Sequence, residues 1–328
     1  MERRCDNVFS TLKLLAKVSR PEFLPANMGS LILGFAWAFS PGSLSAKTFV
    51  LALLCFGTIT FASALGAQLN SMADRALDRT EPNKSRLVKN MDSLGMPVLR
   101  RAMWVELAIG LALLLLFSML RPQPLLIALW VFGVLLAWAY SCPPLRLKSR
   151  AWLAMLALFL VLSVVPLLFV YGTFSSTFSG LFAFFLTGHT LTIYGLIIPT
   201  EIRDYLSDKA AGVRTMAVAL GLPRASLFGM ALLGAGLLIS SVALLSTPVF
   251  SGSFLGLSLA AMIMANLYVL REYRELYRMG CTYSVSQDPQ LYRKIVDLSS
   301  RNPKWITLVS QASVLVHLVL LTGKLRLG

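Results

Sequence analysis

Acidic residues are rare in this chain, and two short segments contain five of its 15 Asp and Glu residues. The first segment is Asn70–Asp78, with the sequence NSMADRALD. If the preceding apolar helix continues through it, Asn70, Asp74 and Asp78 at i, i+4 and i+8 share one stripe. One amide and two carboxylates in a row are oxygen ligands of the kind that a hard divalent cation takes.

The second acidic segment is Glu201–Asp208, with the sequence EIRDYLSD. Glu201, Asp204 and Asp208 are spaced i, i+3 and i+7, which also predicts a single helical stripe. Tyr194 precedes Glu201 by one heptad and is predicted on the same face. The spacing therefore predicts that Tyr194 and Glu201 lie close together.

The two acidic segments are related by a constant shift of 130 residues, which pairs Asp74 with Asp204 and Asp78 with Asp208. This pattern indicates an internal pseudo-repeat in which each half contributes one acidic helix end. Aligned carboxylates repel each other, and Mg²⁺ would offset that repulsion while also binding phosphate oxygens. The alternative is that each segment is an ordinary solvated helix end, although two such stripes in one chain favour a diphosphate site.

Basic residues lie beside both acidic segments, at Arg75, Arg79, Arg86, Arg203 and Lys209. Arg and Lys side chains stabilise the charge that develops on a departing diphosphate. For any one of them, a role in membrane topology is the competing interpretation.

A third segment, Tyr140–Arg150 (YSCPPLRLKSR), follows an apolar run. The double proline ends a helix and predicts an extended exit. In an extended stretch Arg146 and Lys148 would project to one side and suit an anionic ligand. A simple connecting loop is the alternative.

The amino-acid composition indicates the kind of fold that holds these residues. Hydrophobic residues make up 56% of the chain and charged residues only 14%, with a mean hydropathy of +0.71. Because one soluble core could not bury so much apolar surface, we expect an all-α polytopic membrane protein. Nine apolar runs near the spanning length of about 20 residues are predicted as transmembrane helices, at 24–40, 47–72, 97–119, 124–141, 151–171, 179–200, 225–246, 253–270 and 306–323.

The distribution of Lys and Arg predicts the orientation. With nine spans, 26 of the 30 basic residues fall on one side of the membrane, which should be cytoplasmic. The N-terminus and both acidic segments are therefore predicted in the cytoplasm, with the C-terminus on the opposite side. The net charge of +15 is explained by topology, so no nucleic-acid partner is expected.

The remaining segments carry weaker signals. Residues 1–20 are predicted as a cytoplasmic tail, in which Val8–Val18 is amphipathic and either lies on the membrane surface or is solvated. Residues 21–328 are predicted as one transmembrane domain, and the polar stretch Arg271–Trp305 as a connection with a short helix over Glu272–Met279. His189 and His317 lie in apolar spans and are expected to be packed and hydrogen-bonded.

The motifs together resemble the UbiA superfamily of membrane prenyltransferases. Residues 70–78 look like its NDxxDxxxD motif, and residues 204–215 (DYLSDKAAGVRT) look like its DxxxD motif with the following basic, Gly and Thr positions. Residues 140–148 are similar to its YSxPPxRLK stretch, and nine helices around a central cavity are its architecture. The resemblance implies a Mg²⁺-dependent transferase that takes a polyprenyl diphosphate and a small or lipidic acceptor, without an obligate protein partner.

The same resemblance implies roles for single residues. The predicted ligands of Mg²⁺ or of the diphosphate are Asn70, Asp74, Asp78, Asp204 and Asp208. Arg203 is predicted as a catalytic cation, and the diphosphate is predicted to contact Arg86, Arg146, Lys148 and Lys209. Tyr194 and Glu201 are expected to orient the acceptor or to take a proton from it. Ser71 stands where the family usually has Asp, and Leu87 stands where many members have Pro, so Mg²⁺ binding would rely more on Asp74 and Asp78.

The acceptor is less closely defined. The TEIRD run and the RPEFLP segment look like naphthoquinone-forming members, whereas ALDR looks like hydroxybenzoate- and lipid-forming ones. We therefore predict an aromatic quinone precursor, with lipid, tetrapyrrole and carotenoid acceptors or an acceptor-free terpene cyclase as alternatives. Outside the family, a repeat-built transporter and a non-enzymatic scaffold are the alternative functions. If the protein is bacterial, we expect it in the cell membrane.

Overall fold

The computed structural model describes residues 2–20, 24–40, 42–79, 85–247 and 253–327. Residues 21–23 of the RPEFLP segment lie outside these ranges. Within them the chain is helical and forms no strand, which confirms the all-α prediction. The helices are α1 Glu2–Val18, α2 Leu24–Ala38, α3 Ala46–Asp78, α4 Ser85–Leu94, α5 Met96–Leu120, α6 Pro124–Ser141, α7 Ala151–Phe159, α8 Val165–Phe174, α9 Gly180–Arg203, α10 Tyr205–Ala210, α11 Met216–Leu220, α12 Leu222–Leu245, α13 Ser253–Ser286, α14 Pro289–Ser299 and α15 Asn302–Leu327.

Eight helical segments within the described residues are long and apolar enough to cross a membrane, and they match the last eight predicted spans. The fifth of the nine predicted spans combines α7 and α8, which a π-helical turn over Leu160–Val164 joins. The first predicted span corresponds to α2, whose apolar part, Met28–Ala38, is shorter. The chain is therefore a multi-pass membrane protein, and the count of nine crossings stays a prediction.

The helix boundaries follow local sequence signals. The Ser45 hydroxyl caps α3 by accepting a hydrogen bond from the backbone N–H of Thr48 at 3.2 Å, and Asp288 caps α14 in the same way. Proline occupies the first turn of α5, α6 and α12, where its missing N–H costs nothing.

Close packing of α9 on α12 stabilises the second half of the bundle. Gly188 and Gly195 of α9 lie against Gly236 and Gly229 of α12, and a Cβ on Gly188, Gly195 or Gly236 would collide with or crowd the partner helix. Small residues allow such approach where lipid supplies no hydrophobic driving force between helices. Large apolar side chains such as Leu115, Leu135, Leu257 and Met264 are exposed on the outside of the bundle, as lipid contact requires.

The two ends of the bundle are defined by α15. At its start, the Asn302 side chain donates a hydrogen bond to Thr200 Oγ1 near the end of α9, at 2.7 Å. Near its other end, the Lys324 ammonium donates to the carbonyl oxygens of Ala36, Trp37 and Phe39. Twenty-two residues of α-helix span about 33 Å, close to the thickness of a hydrocarbon core. The end of α9 and the end of α2 therefore lie on opposite faces of the membrane-spanning bundle.

The polar segments flanking the spans are more helical than expected. The Arg271–Trp305 stretch consists of the continuation of α13 to Ser286, all of α14 and the start of α15. The short helix predicted over Glu272–Met279 is part of α13. Within residues 1–20, α1 packs on α4, where Val18 is buried with Val88 and Met91.

Candidate functional site

The first acidic motif lies on the last turns of α3. This helix runs without interruption to Asp78, so Asn70, Asp74 and Asp78 share one stripe as predicted. Asp78 is almost completely buried, and Asp74 is largely buried. The Asn70 side-chain carbonyl accepts a hydrogen bond from the Ser141 hydroxyl of α6 at 3.3 Å. The stripe therefore faces protein rather than lipid.

Two basic residues from the loop between α6 and α7 meet the first motif. The Lys148 ammonium forms a close ion pair with Asp74 Oδ1, and Arg146 Nη2 lies 3.8 Å from the same oxygen. The extended exit predicted here is wrong, because Arg146 adopts a left-handed conformation with φ 37° and Leu147–Ser149 form a 3₁₀ turn. That turn, rather than strand alternation, directs both side chains to one carboxylate.

The second motif is interrupted by a break in the helix. α9 ends at Arg203, Asp204 has non-helical angles of φ −90° and ψ 7°, and α10 begins at Tyr205. The single continuous helical stripe predicted for Glu201, Asp204 and Asp208 is therefore wrong in its local structure. All three acids are nevertheless buried. Arg203 donates two hydrogen bonds to the Asp204 carboxylate, at 2.7 and 3.0 Å.

Glu201 connects α9 to the short helix α11. The Tyr194 hydroxyl donates to Glu201 Oε1 at 3.2 Å, which fits their predicted common face. The backbone N–H of Ala217 donates to Glu201 Oε2 at 3.2 Å. Both carboxylate oxygens therefore have a partner within the protein, and Glu201 fixes the position of α11.

The α6–α7 loop lies between the two motifs. The backbone N–H of Ala151, the first residue of α7, donates to the Arg214 carbonyl at 2.7 Å, just after the second acidic segment, while Lys148 of the preceding loop contacts Asp74. Both motifs thus lie at one end of the bundle, which we call the acidic end.

Four of the predicted cations are not in contact with the motif carboxylates. Arg75 and Arg79 bind Asp92 of α4, with Arg79 Nη2 at 3.0 Å from Asp92 Oδ2. Their hydrogen bonds hold the pKa of the Asp92 carboxyl below its usual value. Arg86 is exposed on α4, and the exposed Lys209 lies over the Tyr205 ring, 5.8 Å from its centroid.

The fold and motif order agree with known proteins. A profile of the UbiA prenyltransferase family matches residues 27–285. The chain belongs to the UbiA prenyltransferase family. Its membership confirms the predicted enzyme class, a membrane prenyltransferase.

Solved structures of UbiA homologues share the fold at low sequence identity. A homologue from Archaeoglobus fulgidus bound to DMAPP and Mg²⁺ is 18% identical, with a TM-score of 0.58 over 90% of this chain and 99% of that chain. An apo homologue from Aeropyrum pernix K1 is 18% identical, with a TM-score of 0.62 over 88% and 96%. A structure of digeranylgeranylglyceryl phosphate synthase is 15% identical, with a TM-score of 0.58 over 96% and 99%. Among curated protein sequences nothing matches this chain.

The acids of this UbiA-family chain are an all-oxygen donor set of the kind that suits Mg²⁺. Across the described ranges, no three His, Cys, Asp or Glu side chains are already arranged to hold a metal ion. Instead Lys148 and Arg203 provide the positive charge at Asp74 and Asp204. Beside Asn70, the buried Ser71 hydroxyl has no hydrogen-bond partner in the described part of the chain. The oxygen donors fit Mg²⁺, and Asp74 and Asp204 are each paired with a cationic side chain of the protein.

Sequence reasoning missed two contacts here. Asp92 lies in the strongly amphipathic α4, so its place on the polar face was a usable signal for a partner on α3. The Ala151–Arg214 contact joins two backbone groups far apart in the chain, and no side-chain pattern indicates it.

Proposed function

We propose that this UbiA-family enzyme transfers a polyprenyl group from a polyprenyl diphosphate to an aromatic quinone precursor, in a Mg²⁺-dependent reaction. The observation that carries the proposal is the connection between α6 and α7. Its Lys148 pairs with Asp74, and the Ala151 N–H at the start of α7 donates to the Arg214 carbonyl, just after the second acidic segment. Two acidic segments joined by one basic loop form a site for a phosphorylated head group. Mg²⁺ is bound with DMAPP in the Archaeoglobus fulgidus homologue.

Each side chain at the acidic end has a proposed role. Asn70, Asp74, Asp78, Asp204 and Asp208 would hold Mg²⁺, which when bound would polarise the diphosphate leaving group. Lys148, Arg146, Arg203, Arg86 and Lys209 would supply positive charge to the diphosphate as it departs.

The proposed reaction needs only the prenyl diphosphate and the acceptor as reactants. The allylic C–O bond breaks and its electron pair leaves with the diphosphate. A carbon of the electron-rich acceptor then forms the new bond to the allylic carbon and loses one proton, which the Glu201 carboxylate is proposed to accept. Tyr194 and Glu201 are proposed near the acceptor side, and apolar helix walls would keep water from the reactive allylic cation.

An aromatic acceptor is proposed because of the TEIRD and RPEFLP similarity to naphthoquinone-forming members. Lipid, tetrapyrrole and carotenoid acceptors and an acceptor-free cyclisation are the competing outcomes of the test below. A transporter is no longer a candidate, because the family consists of prenyltransferases. We also propose that the acidic end faces the cytoplasm, since most Lys and Arg lie in the loops on that side.

The test is an assay of the purified protein in detergent or nanodiscs. It combines prenyl diphosphates of several chain lengths with hydroxybenzoate, dihydroxynaphthoate, glycerol-phosphate lipid, tetrapyrrole and carotenoid acceptors, each in a separate reaction. Product mass and diphosphate release are measured. We expect product with an aromatic acceptor and none without Mg²⁺. Asp74→Asn and Asp204→Asn should each reduce turnover about 100-fold or more, whereas Arg101→Gln, at an exposed position of α5 away from the motifs, should not.

The outcomes separate the alternatives. A prenylated lipid, tetrapyrrole or carotenoid without a prenylated aromatic product would replace the proposed acceptor and keep the enzyme class. A hydrocarbon product formed without acceptor would indicate a cyclase. Full activity of both motif variants would refute the site.

A further inference from the structure

A groove of about 580 Å³, lined mostly by charged residues, lies between the extended end of α13, α14 and the start of α15. Five basic residues line it: Arg271, Arg274, Arg278, Lys294 and Arg301. None of the acids of the two motifs is among its lining residues. The groove is therefore separate from the site described above.

The charges in the groove are only partly balanced. Arg301 pairs with Glu272 at 3.6 Å and Arg278 with Glu275 at 3.9 Å. Arg271, Arg274 and Lys294 form no ion pair within the described residues, and Asp297 is the one lining acid there without such a pair. Three unpaired cations facing one acid leave a net positive site.

The groove opens where the apolar surface of the bundle ends. Leu267 and Tyr268, one turn before Arg271 on α13, are exposed, as is Leu308 on α15. Arg271, Arg274 and Arg278 are spaced i, i+3 and i+7, so one face of α13 turns basic as soon as its apolar part ends at Leu270. Lipid headgroups lie at this level, and basic residues just beyond a spanning helix attract anionic lipids.

We propose that this groove binds a phosphate-bearing anion, with the headgroup of an anionic phospholipid as its natural source. Guanidinium groups donate hydrogen bonds in the planar geometry that phosphate oxygens accept. The groove is also linked to the second motif through α14. The Tyr292 hydroxyl donates to the Arg203 carbonyl at 3.2 Å and accepts from the Leu206 N–H at 3.1 Å. A ligand held between α13 and α14 would therefore contact α14, the helix whose Tyr292 forms hydrogen bonds on both sides of the α9–α10 break.

The experiment is native mass spectrometry of the full chain in detergent, titrated with phosphatidylglycerol, phosphatidylcholine or inorganic diphosphate. The test variant is R271Q/R274Q/K294Q. The control variant R100Q/R101Q/R293Q removes the same charge from exposed positions that do not line the groove. Thermal unfolding of each variant reports whether it is folded. A third variant, Asp297→Asn, removes the opposing acid.

We expect wild type and control to retain phosphatidylglycerol in preference to phosphatidylcholine. The triple variant should lose about tenfold or more of that affinity, and Asp297→Asn should gain several-fold. Retention of diphosphate, but not of phosphatidylglycerol, with the same dependence on these variants would support the site and assign it to a soluble phosphate. Equal loss in test and control variants, or no loss in either, would overturn the proposal. Because no prenyl transfer is measured, the result does not depend on the proposed function.

Discussion

The Lys148 ammonium and the Asp74 carboxylate form an ion pair that connects the α6–α7 loop to the last turns of α3. Lys148 is buried and Asp74 largely so, and Arg146 approaches the same oxygen at 3.8 Å. A buried carboxylate needs a cation close by. Lys148 provides it at an oxygen that we propose binds Mg²⁺, so the lysine and the metal ion compete for one partner.

The first prediction concerns this competition. Lys148→Met removes the competing cation while retaining most of the side-chain volume. We expect Mn²⁺, used as a spectroscopic substitute for Mg²⁺, to bind about tenfold more tightly in the absence of prenyl diphosphate. Turnover should nevertheless fall, because a cation is lost from the diphosphate. Electron paramagnetic resonance of bound Mn²⁺ measures the affinity.

The matched control for Lys148 is Lys209→Met, since Lys209 is exposed and contacts the Tyr205 ring rather than a carboxylate. Its Mn²⁺ affinity should stay at the wild-type value. Weaker Mn²⁺ binding in Lys148→Met than in wild type would show that the lysine supports the metal site instead of competing with the ion.

The second prediction concerns Asp92, which ties α4 to α3 through Arg75 and Arg79. The pKa of Asp92 is lowered by these hydrogen bonds, so its stabilising effect is present above the pKa it has in the unfolded chain. That effect is lost as pH falls through the lower folded-state value. Because Asp92 lies at the surface, we expect a small shift in thermal stability. The unfolding temperature of wild type should exceed that of Asp92→Asn at neutral pH, and this difference should disappear in acid. Measuring the unfolding temperature of both proteins against pH tests this.

Hydrogen exchange gives the local readout for Asp92. Amides of α4 should exchange faster in Asp92→Asn at neutral pH, whereas those of α12 should not change. The control is Asp297→Asn. Asp297 is also exposed but, unlike Asp92, forms no ion pair within the described residues. Unchanged exchange in α4 would mean that apolar packing of Val88 and Met91 alone holds this helix.

The contrast between the two motifs shows which features of the site sequence reasoning captures. The i, i+4, i+8 spacing predicted the α3 stripe correctly because nothing in residues 46–78 interrupts the backbone hydrogen bonds. The same reasoning failed at Asp204. There Arg203 binds the neighbouring Asp204 side chain, and Tyr292 of α14 accepts from the Leu206 N–H. Such tertiary partners stabilise a helix break that periodicity does not reveal.

Loops were the least predictable part of the acidic end. The double proline correctly marked the end of α6, but the turn that directs Arg146 and Lys148 to Asp74 needs a left-handed residue that is not glycine. The eight longer spans, by contrast, follow from hydropathy alone, since lipid requires continuous apolar helices.

The third prediction separates a positioning role of Glu201 from a catalytic one. Glu201→Ala leaves the buried N–H of Ala217 without its acceptor and should cost about 1–3 kcal/mol of stability. Glu201→Gln retains an acceptor for that N–H and should unfold near the wild-type temperature. If Glu201 also contacts the acceptor substrate, Glu201→Gln will raise the KM for that acceptor while the KM for prenyl diphosphate stays constant. An unchanged KM would assign Glu201 to positioning α11 alone.

The fourth prediction uses two glycines of α12 that differ only in their surroundings. A Cβ added at Gly236 would lie 2.6 Å from the Gly188 carbonyl oxygen of α9, whereas a Cβ at Gly234 meets nothing within 4 Å. Gly236→Ala must therefore push α12 away from α9 and should cost about 1–3 kcal/mol. Gly234→Ala should be neutral or slightly stabilising, because alanine favours helix. Thermal unfolding in one detergent measures both, and equal unfolding temperatures for the two variants would show that the α9–α12 contact is looser than these distances imply.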